Sequence, residues 1–275
     1  MEVPHGWKAV GYGRGKGIVL MLDFEAVGRR EACFADLVPM LDPAPETWTA
    51  AQPSHGSLDK TACAYLGYWS GGLRESGREV HAVLGFCAGA VFAAALAEQI
   101  AGWQARVPEV VLLDPEPPTT STLLGQFENV IQALAGLASA AAEGPGRSDT
   151  EGLDRARAAA ARLRDVADLP ALGDELSSLY REVTEPAFAR IGLSPVYQAD
   201  LVMSFGSLMS YLAAAGDLRP GPGWASATAV VSAAHRGQPA GRQPIGVARQ
   251  VSVDTDHADL LRSPAVAKLV SELLQ

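Results

Sequence analysis

Val80-His81-Ala82-Val83-Leu84-Gly85-Phe86-Cys87-Ala88-Gly89-Ala90-Val91-Phe92-Ala93-Ala94-Ala95-Leu96-Ala97 changes character at its middle. Its first residues are short and apolar, the pattern of a buried strand, and its last are small helix formers, predicting a helix over 88–101. Gly85-Phe86-Cys87-Ala88-Gly89 joins them and has the form Gly-x-nucleophile-x-Gly. Such a turn is so sharp that the residues two before and two after its apex must be nearly without side chains. The apex side chain then stands above the sheet, and the first backbone N–H groups of the following helix favour a thiolate there. An isolated cysteine at a strand end reads equally well as a buried structural residue. The apolar strand before Cys87 and the small-residue helix after it favour the nucleophile.

Outward from this turn the pattern alternates. Residues 17–22 read as a buried strand, 29–41 as an amphipathic helix and 47–51 as a weak strand. A helix is expected over 58–75, closed by Ser76-Gly77, and Val110-Val111-Leu112-Leu113 is another apolar strand, closed by Asp114-Pro115. Fully apolar strands separated by helices imply a mostly parallel sheet covered on both faces, an α/β fold. From 119 to 216 only helical segments are predicted, around 123–142, 152–167, 172–190 and 196–215. Strands return over 227–233 and 247–253, and an amphipathic helix over 264–274 ends the chain. The expected organisation is therefore a core of residues 1–118 and 217–275 with a helical insertion, 119–216, capping the active face.

The chain has 275 residues, 48% of them hydrophobic, too many for disorder and enough for a large core. The net charge of −9 disfavours a general nucleic-acid binder. Ile18–Leu22 is too short an apolar run to span a bilayer, so no membrane partner is expected. The N-terminal residues lack the form of a signal peptide, and a cytoplasmic address follows as the expectation. Cys33, Cys63 and Cys87 form no CxxC pair, which argues against a disulfide framework and against a zinc site of usual spacing, so no bound metal is expected.

A nucleophilic thiol needs a base. His5 lies near the N-terminus and His55 in a Pro/Ser/Gly loop, both expected at the surface. His81 begins the strand that Cys87 ends, roughly 20 Å away at ~3.3 Å per residue. His235 follows a strand and stays open. His257, after the last strand and before the terminal helix, is placed to reach the nucleophile and is favoured. The acid that orients the imidazole is assigned to Asp114, at the end of the strand after the elbow, with Asp217 as rival. Asp254 and Asp256 lie too close to His257 in sequence to orient it easily.

These residues together, with Pro117-Pro118, the helical insert and Asp256-His257 before the terminal helix, resemble the thioesterase domains of polyketide and nonribosomal peptide synthases. The resemblance runs from about Gly17 to Leu274. It implies an α/β-hydrolase fold with a helical lid, and the catalytic positions of that family fall on Cys87, Asp114 and His257. It further implies an acyl chain presented as a thioester on the phosphopantetheine of an acyl or peptidyl carrier protein, with no bound cofactor. Two departures stand out. Cysteine replaces the usual serine, and the usual Pro/Gly-rich loop is Leu22-Asp23-Phe24-Glu25-Ala26-Val27-Gly28. That loop is expected to supply one oxyanion donor, the backbone N–H of Phe24 or Glu25, with the Ala88 N–H as the other.

Acyl transfer between thiols is nearly thermoneutral, so a cysteine enzyme keeps its acyl group activated. This favours release by cyclisation or aminolysis, with hydrolysis as the competing outcome. Apolar residues of the insert (Phe127, Val130, Tyr197, Val202, Met203, Phe205, Met209 and Tyr211) either pack its helices or wall an acyl site. The alternatives are a type II proofreading thioesterase, a hydrolase resembling dienelactone hydrolase, and a non-catalytic interaction module that keeps the fold.

Overall fold

Ile18–Leu22 (β2) and Val80–Phe86 (β4) are buried at every position, as strands covered on both faces must be. The computed structural model describes residues 3–13, 17–25, 31–53, 56, 58–141, 151–190, 192–233 and 246–275. The other strands are Trp7–Tyr12 (β1), Glu46–Ala50 (β3), Glu109–Leu113 (β5), Thr228–Val231 (β6) and Arg249–Ser252 (β7). They form one sheet in the order β1-β3-β2-β4-β5-β6-β7. Neighbours run parallel except β1 and β3. The chain divides into two compact units, one of Met1–Pro53, Ala62–Pro117 and Leu218–Gln275, the other of Ser54–Thr61 and Pro118–Asp217.

The first unit holds the sheet. Helices Ala62–Ser76 (α2) and Gly89–Ala101 (α3) belong to it, and α3 packs on β2, β4 and β5. Tyr65, Trp69 and Phe92 meet between α2 and α3, the last two edge to face at 5.1 Å. A second cluster gathers alternate strand residues, among them Met21, Leu84, Phe86 and Leu113, with Leu37, Leu260, Leu261, Val266 and Val270. The terminal helix Pro264–Leu273 supplies Val266 and Val270 to it.

The strand β1 was not expected from its sequence. Trp-Lys-Ala-Val-Gly-Tyr has no clean alternation, and pairing with β3 shifts register between Ala9 and Gly11. Its position rests on contacts distant in sequence, including Trp7 Nε1–H donating to the Trp69 carbonyl at 2.9 Å. The helix expected over 29–41 is much shorter: Phe34–Leu37 (α1) followed by a 3-10 turn, Val38–Met40. The Asp36 carboxylate accepts the Cys33 N–H at 2.9 Å, which starts the helix late. The Ala32 N–H is drawn instead to the Ala258 carbonyl at 2.7 Å. Residues 26–30 and 142–150 lie outside the described residues. Within Pro220-Gly221-Pro222-Gly223 a short helix starts, Pro222–Ser226, because proline is tolerated at the first helical position.

The second unit contains helices Thr120–Ala141 (α4), Glu151–Ala161 (α5), Leu169–Arg190 (α6) and Pro195–Asp217 (α7). Its core includes Leu123, Phe127, Ile131, Leu172, Leu176, Phe205 and Met209. Phe127, Phe205, Met209 and Tyr211 are buried packing positions, whereas Tyr197 and Met203 are 64% and 43% exposed. Tyr180 packs against Phe205 with ring centroids 4.3 Å apart and planes tilted by 33°, and burial pushes its phenol up to about 12. Among the described residues no helix is long and apolar enough to cross a membrane.

Candidate active site

The elbow is built by close approach. A Cβ on Gly85 would lie 2.5 Å from the Ala90 Cα and 2.6 Å from the Gly89 carbonyl oxygen. Only glycine lets the start of α3 fold back against the end of β4 at that distance. Cys87 sits at the apex with φ 51°, in the left-handed region that side chains rarely adopt. It is half-buried, not sealed in the core. Ala88 follows as the N-cap residue of α3.

Asp114 occupies the equivalent place on the next strand. Phe86 and Leu113 are register partners, so Cys87 and Asp114 lie side by side just past the strand ends. The Cys87 N–H donates to the Leu113 carbonyl and the Asp114 N–H to the Val230 carbonyl, each at 2.9 Å. Asp114 is buried, and its Oδ1 accepts the Ser232 backbone N–H at 2.7 Å. Its Oδ2 meets His257 Nδ1 at 2.8 Å. His257 opens a 3-10 turn, His257–Arg262, one residue before Ala258, whose carbonyl Ala32 holds. The imidazole is also hydrogen-bonded to Cys87.

Burial works against charge on His257, yet hydrogen bonds to Asp114 and Cys87, with their negative charge, push its pKa up to about 10. Burial likewise opposes ionisation of Asp114. Hydrogen bonds from His257 and from the Ser232 hydroxyl and N–H outweigh it, and the carboxyl is held below its usual range. The site thus favours a carboxylate, an imidazolium and a sulfur in one hydrogen-bonded row.

The remaining sequence candidates fall elsewhere. His81 is buried on β4, six residues before Cys87, and its Nε2 contacts the Leu274 carbonyl at 2.9 Å. His5 is exposed and lies edge-on to Tyr68 at 4.8 Å. His55 and His235 lie outside the described residues. Asp217, Asp254 and Asp256 are exposed, and Asp256 directly precedes the turn that begins at His257, with no side-chain capping bond. At the loop expected to complete the oxyanion hole, the Phe24 N–H donates to Asp23 Oδ1 at 2.7 Å. The Asp23 carbonyl accepts from Gln52 Nε2 at 3.0 Å, and Glu25 is exposed.

Two contributors had no signal in the sequence. Ser232 is an unremarkable residue after a strand, and its role as donor to Asp114 depends on β6 lying beside β5. Phe86 stacks its ring on that of His257, with centroids 4.8 Å apart and planes at 19°.

No family model matches the chain, and no curated protein matches it in sequence. Solved structures do resemble it. One is the NocB thioesterase domain in covalent complex with a fluorophosphonate nocardicin G analog. It is 16% identical over 95% of this chain and 96% of that one, with a TM-score of 0.51. Another is the Vlm2 thioesterase domain carrying genetically encoded 2,3-diaminopropionic acid and bound with a dodecadepsipeptide. It is 18% identical over 98% and 96% of the two chains, with a TM-score of 0.52. At such identities the likeness establishes the fold, an α/β-hydrolase fold of the kind these thioesterase domains share.

Proposed function

We propose that this protein is a thioesterase of natural-product biosynthesis that accepts an acyl chain from the phosphopantetheine thioester of an acyl or peptidyl carrier protein. The observation that carries this reading is the contact of Asp114 with His257 at 2.8 Å beside a half-exposed cysteine on a strained turn. A purely structural cysteine does not need a left-handed apex or an oriented imidazole.

In the proposed reaction the Cys87 sulfur attacks the thioester carbonyl, and its proton resides on His257. The carbonyl π electrons move to oxygen, where backbone N–H groups, that of Ala88 first, receive the oxyanion. When the tetrahedral intermediate collapses, the carbon–sulfur bond to pantetheine breaks and His257 protonates the departing thiolate. The acyl group is then a thioester on Cys87. An amine, hydroxyl or water attacks it, passing its proton to His257 as Cys87 leaves. Asp114 keeps the imidazole in one tautomer and stabilises its charge throughout. Because the acyl-enzyme is itself a thioester, it stays activated for aminolysis or ring closure.

Mass spectrometry after incubation with synthetic pantetheine thioesters tests this reading. An acyl adduct on the peptide containing Cys87, lost in Cys87→Ala, is expected, with acid, amide and lactone products scored separately. Turnover without that adduct, or an adduct elsewhere, overturns it. One observation favours a second reading, a non-catalytic interaction module: Asp23 already occupies the Phe24 N–H. A thiol at Cys87 that resists both iodoacetamide and acyl thioesters at neutral pH would support the module.

A further inference from the structure

We infer that Phe86, the residue before the nucleophile, is a positioning residue whose aromatic face holds the charged imidazole of His257 in line between Asp114 and Cys87. The inference rests on the proposed roles of Cys87 and His257 and adds to them. The rings are stacked at 4.8 Å and 19°, so the imidazole lies over the face of the benzene ring. Phe86 is 1% exposed and belongs to the cluster containing Leu84, Leu113, Leu260 and Leu261. It cannot swing away without opening that cluster.

A face-on wall restricts rotation of the imidazole out of its plane, so that Nδ1 stays on Asp114 while the opposite side of the ring serves the sulfur. The face of an aromatic ring also carries negative potential, and it attracts an imidazolium more than a neutral imidazole. The contact therefore favours the imidazolium, the form that holds the proton while Cys87 attacks and delivers it to the departing thiolate. The middle position of Gly-Phe-Cys is a support for the base as well as a spacer in the turn.

Other titratable groups around His257 are Asp114 from the end of β5 and Cys87 from the elbow. Glu116 donates its N–H to the Cys87 carbonyl at 3.3 Å. On the segment of His257 itself, Asp256 is exposed and Asp259 is paired with Arg262 at 2.9 Å. Asp36, from α1, lies 3.9 Å from the same arginine. A change confined to the ring at position 86 leaves all of these in place.

The test replaces Phe86 in the full chain with mono-, di- and trifluorinated phenylalanine, which drains the ring face stepwise at nearly constant shape. Phe86→Leu removes the face altogether. The readout is the imidazole titration of His257 by NMR on protein with labelled histidine, assigned against His257→Gln. The inflection is expected to fall progressively with fluorine count, by about half a unit for the most fluorinated ring. Acylation of Cys87 by a pantetheine thioester should slow in the same order. A titration insensitive to fluorination, even with Phe86→Leu unfolded, overturns the inference while leaving the proposed thioesterase intact. If His257 titrates near 6.5 in the unmodified protein, the resting imidazolium is absent, and this inference falls with it.

Discussion

Cys87 and Asp114 take the same left-handed backbone turn, φ 51° and 43°, one residue beyond the register pair Phe86 and Leu113. No other described non-glycine residue has a positive φ. Each is held there by its own N–H reaching across to the neighbouring strand, Cys87 to Leu113 and Asp114 to Val230. Strain of this kind persists only where surrounding contacts over-determine it. Here it turns two side chains off the ends of adjacent parallel strands, and the carboxylate of one meets the ring of His257.

The elbow should not tolerate any side chain at its first glycine. Gly85→Ala places a methyl group 2.5 Å from the Ala90 backbone, which cannot yield as a flexible side chain would. A loss of roughly 3 kcal/mol is expected. Urea unfolding would show it as a lower midpoint at an unchanged slope. A midpoint equal to the parent's would contradict the close approach of α3 to β4.

Removing the charge on Asp114 while keeping its shape should uncouple the base. In Asp114→Asn the amide oxygen can still accept the Ser232 N–H, but the amide nitrogen then faces His257 Nδ1 and imposes the wrong tautomer. Acylation of Cys87 should fall by roughly 10⁴-fold with the fold retained. Rapid-quench mass spectrometry measures the rate, and a loss below about tenfold would exclude Asp114 as the orienting acid.

Stability should depend on pH through His257. Its pKa is raised from 6.5 to about 10, so the folded state binds its proton more tightly than the unfolded chain does. The stabilisation is complete below about 6.5, declines as pH rises, and is gone once pH passes through about 10. Cys87→Ser removes the sulfur's share of the attraction and should flatten this decline. Denaturant midpoints of the two proteins across that range decide it; parallel curves would refute the contribution of Cys87.

Asp23 should act as a brake if Phe24 supplies the second oxyanion donor. Its carboxylate occupies that N–H at 2.7 Å and sets a negative charge where the oxyanion would form. Releasing a hydrogen bond to a charged group costs on the order of 2 kcal/mol. Asp23→Ala should therefore acylate at least tenfold faster in single-turnover assays. Slower acylation would assign the second donor elsewhere.

Much of the framework was legible in the chain because its signals are local. The apolar runs Ile18–Leu22, Val80–Leu84 and Val110–Leu113 announce strands covered on both faces, and two glycines around Cys87 announce the sharp turn between strand and helix. His257 and Asp114 stood out because each follows a strand. By contrast β1 carries no clean alternation, and the late start of the helix around Phe34 depends on the bond that Ala32 makes with Ala258, more than two hundred residues away.

By itself the sequence determined the buried central strands Ile18–Leu22, Val80–Phe86 and Glu109–Leu113 and where the backbone must bend sharply, since those demands are met or broken within a few neighbouring residues. Tertiary structure alone decided that β6 lies beside β5 and brings Ser232 to Asp114, and that the ring of Phe86 faces that of His257. It also decided that Asp23 turns back onto the Phe24 N–H. The first two contacts join residues more than a hundred positions apart, and their existence depends on strand order and register. The third depends on which rotamer and loop path the packed surroundings allow. None of the three leaves a periodic trace in the chain.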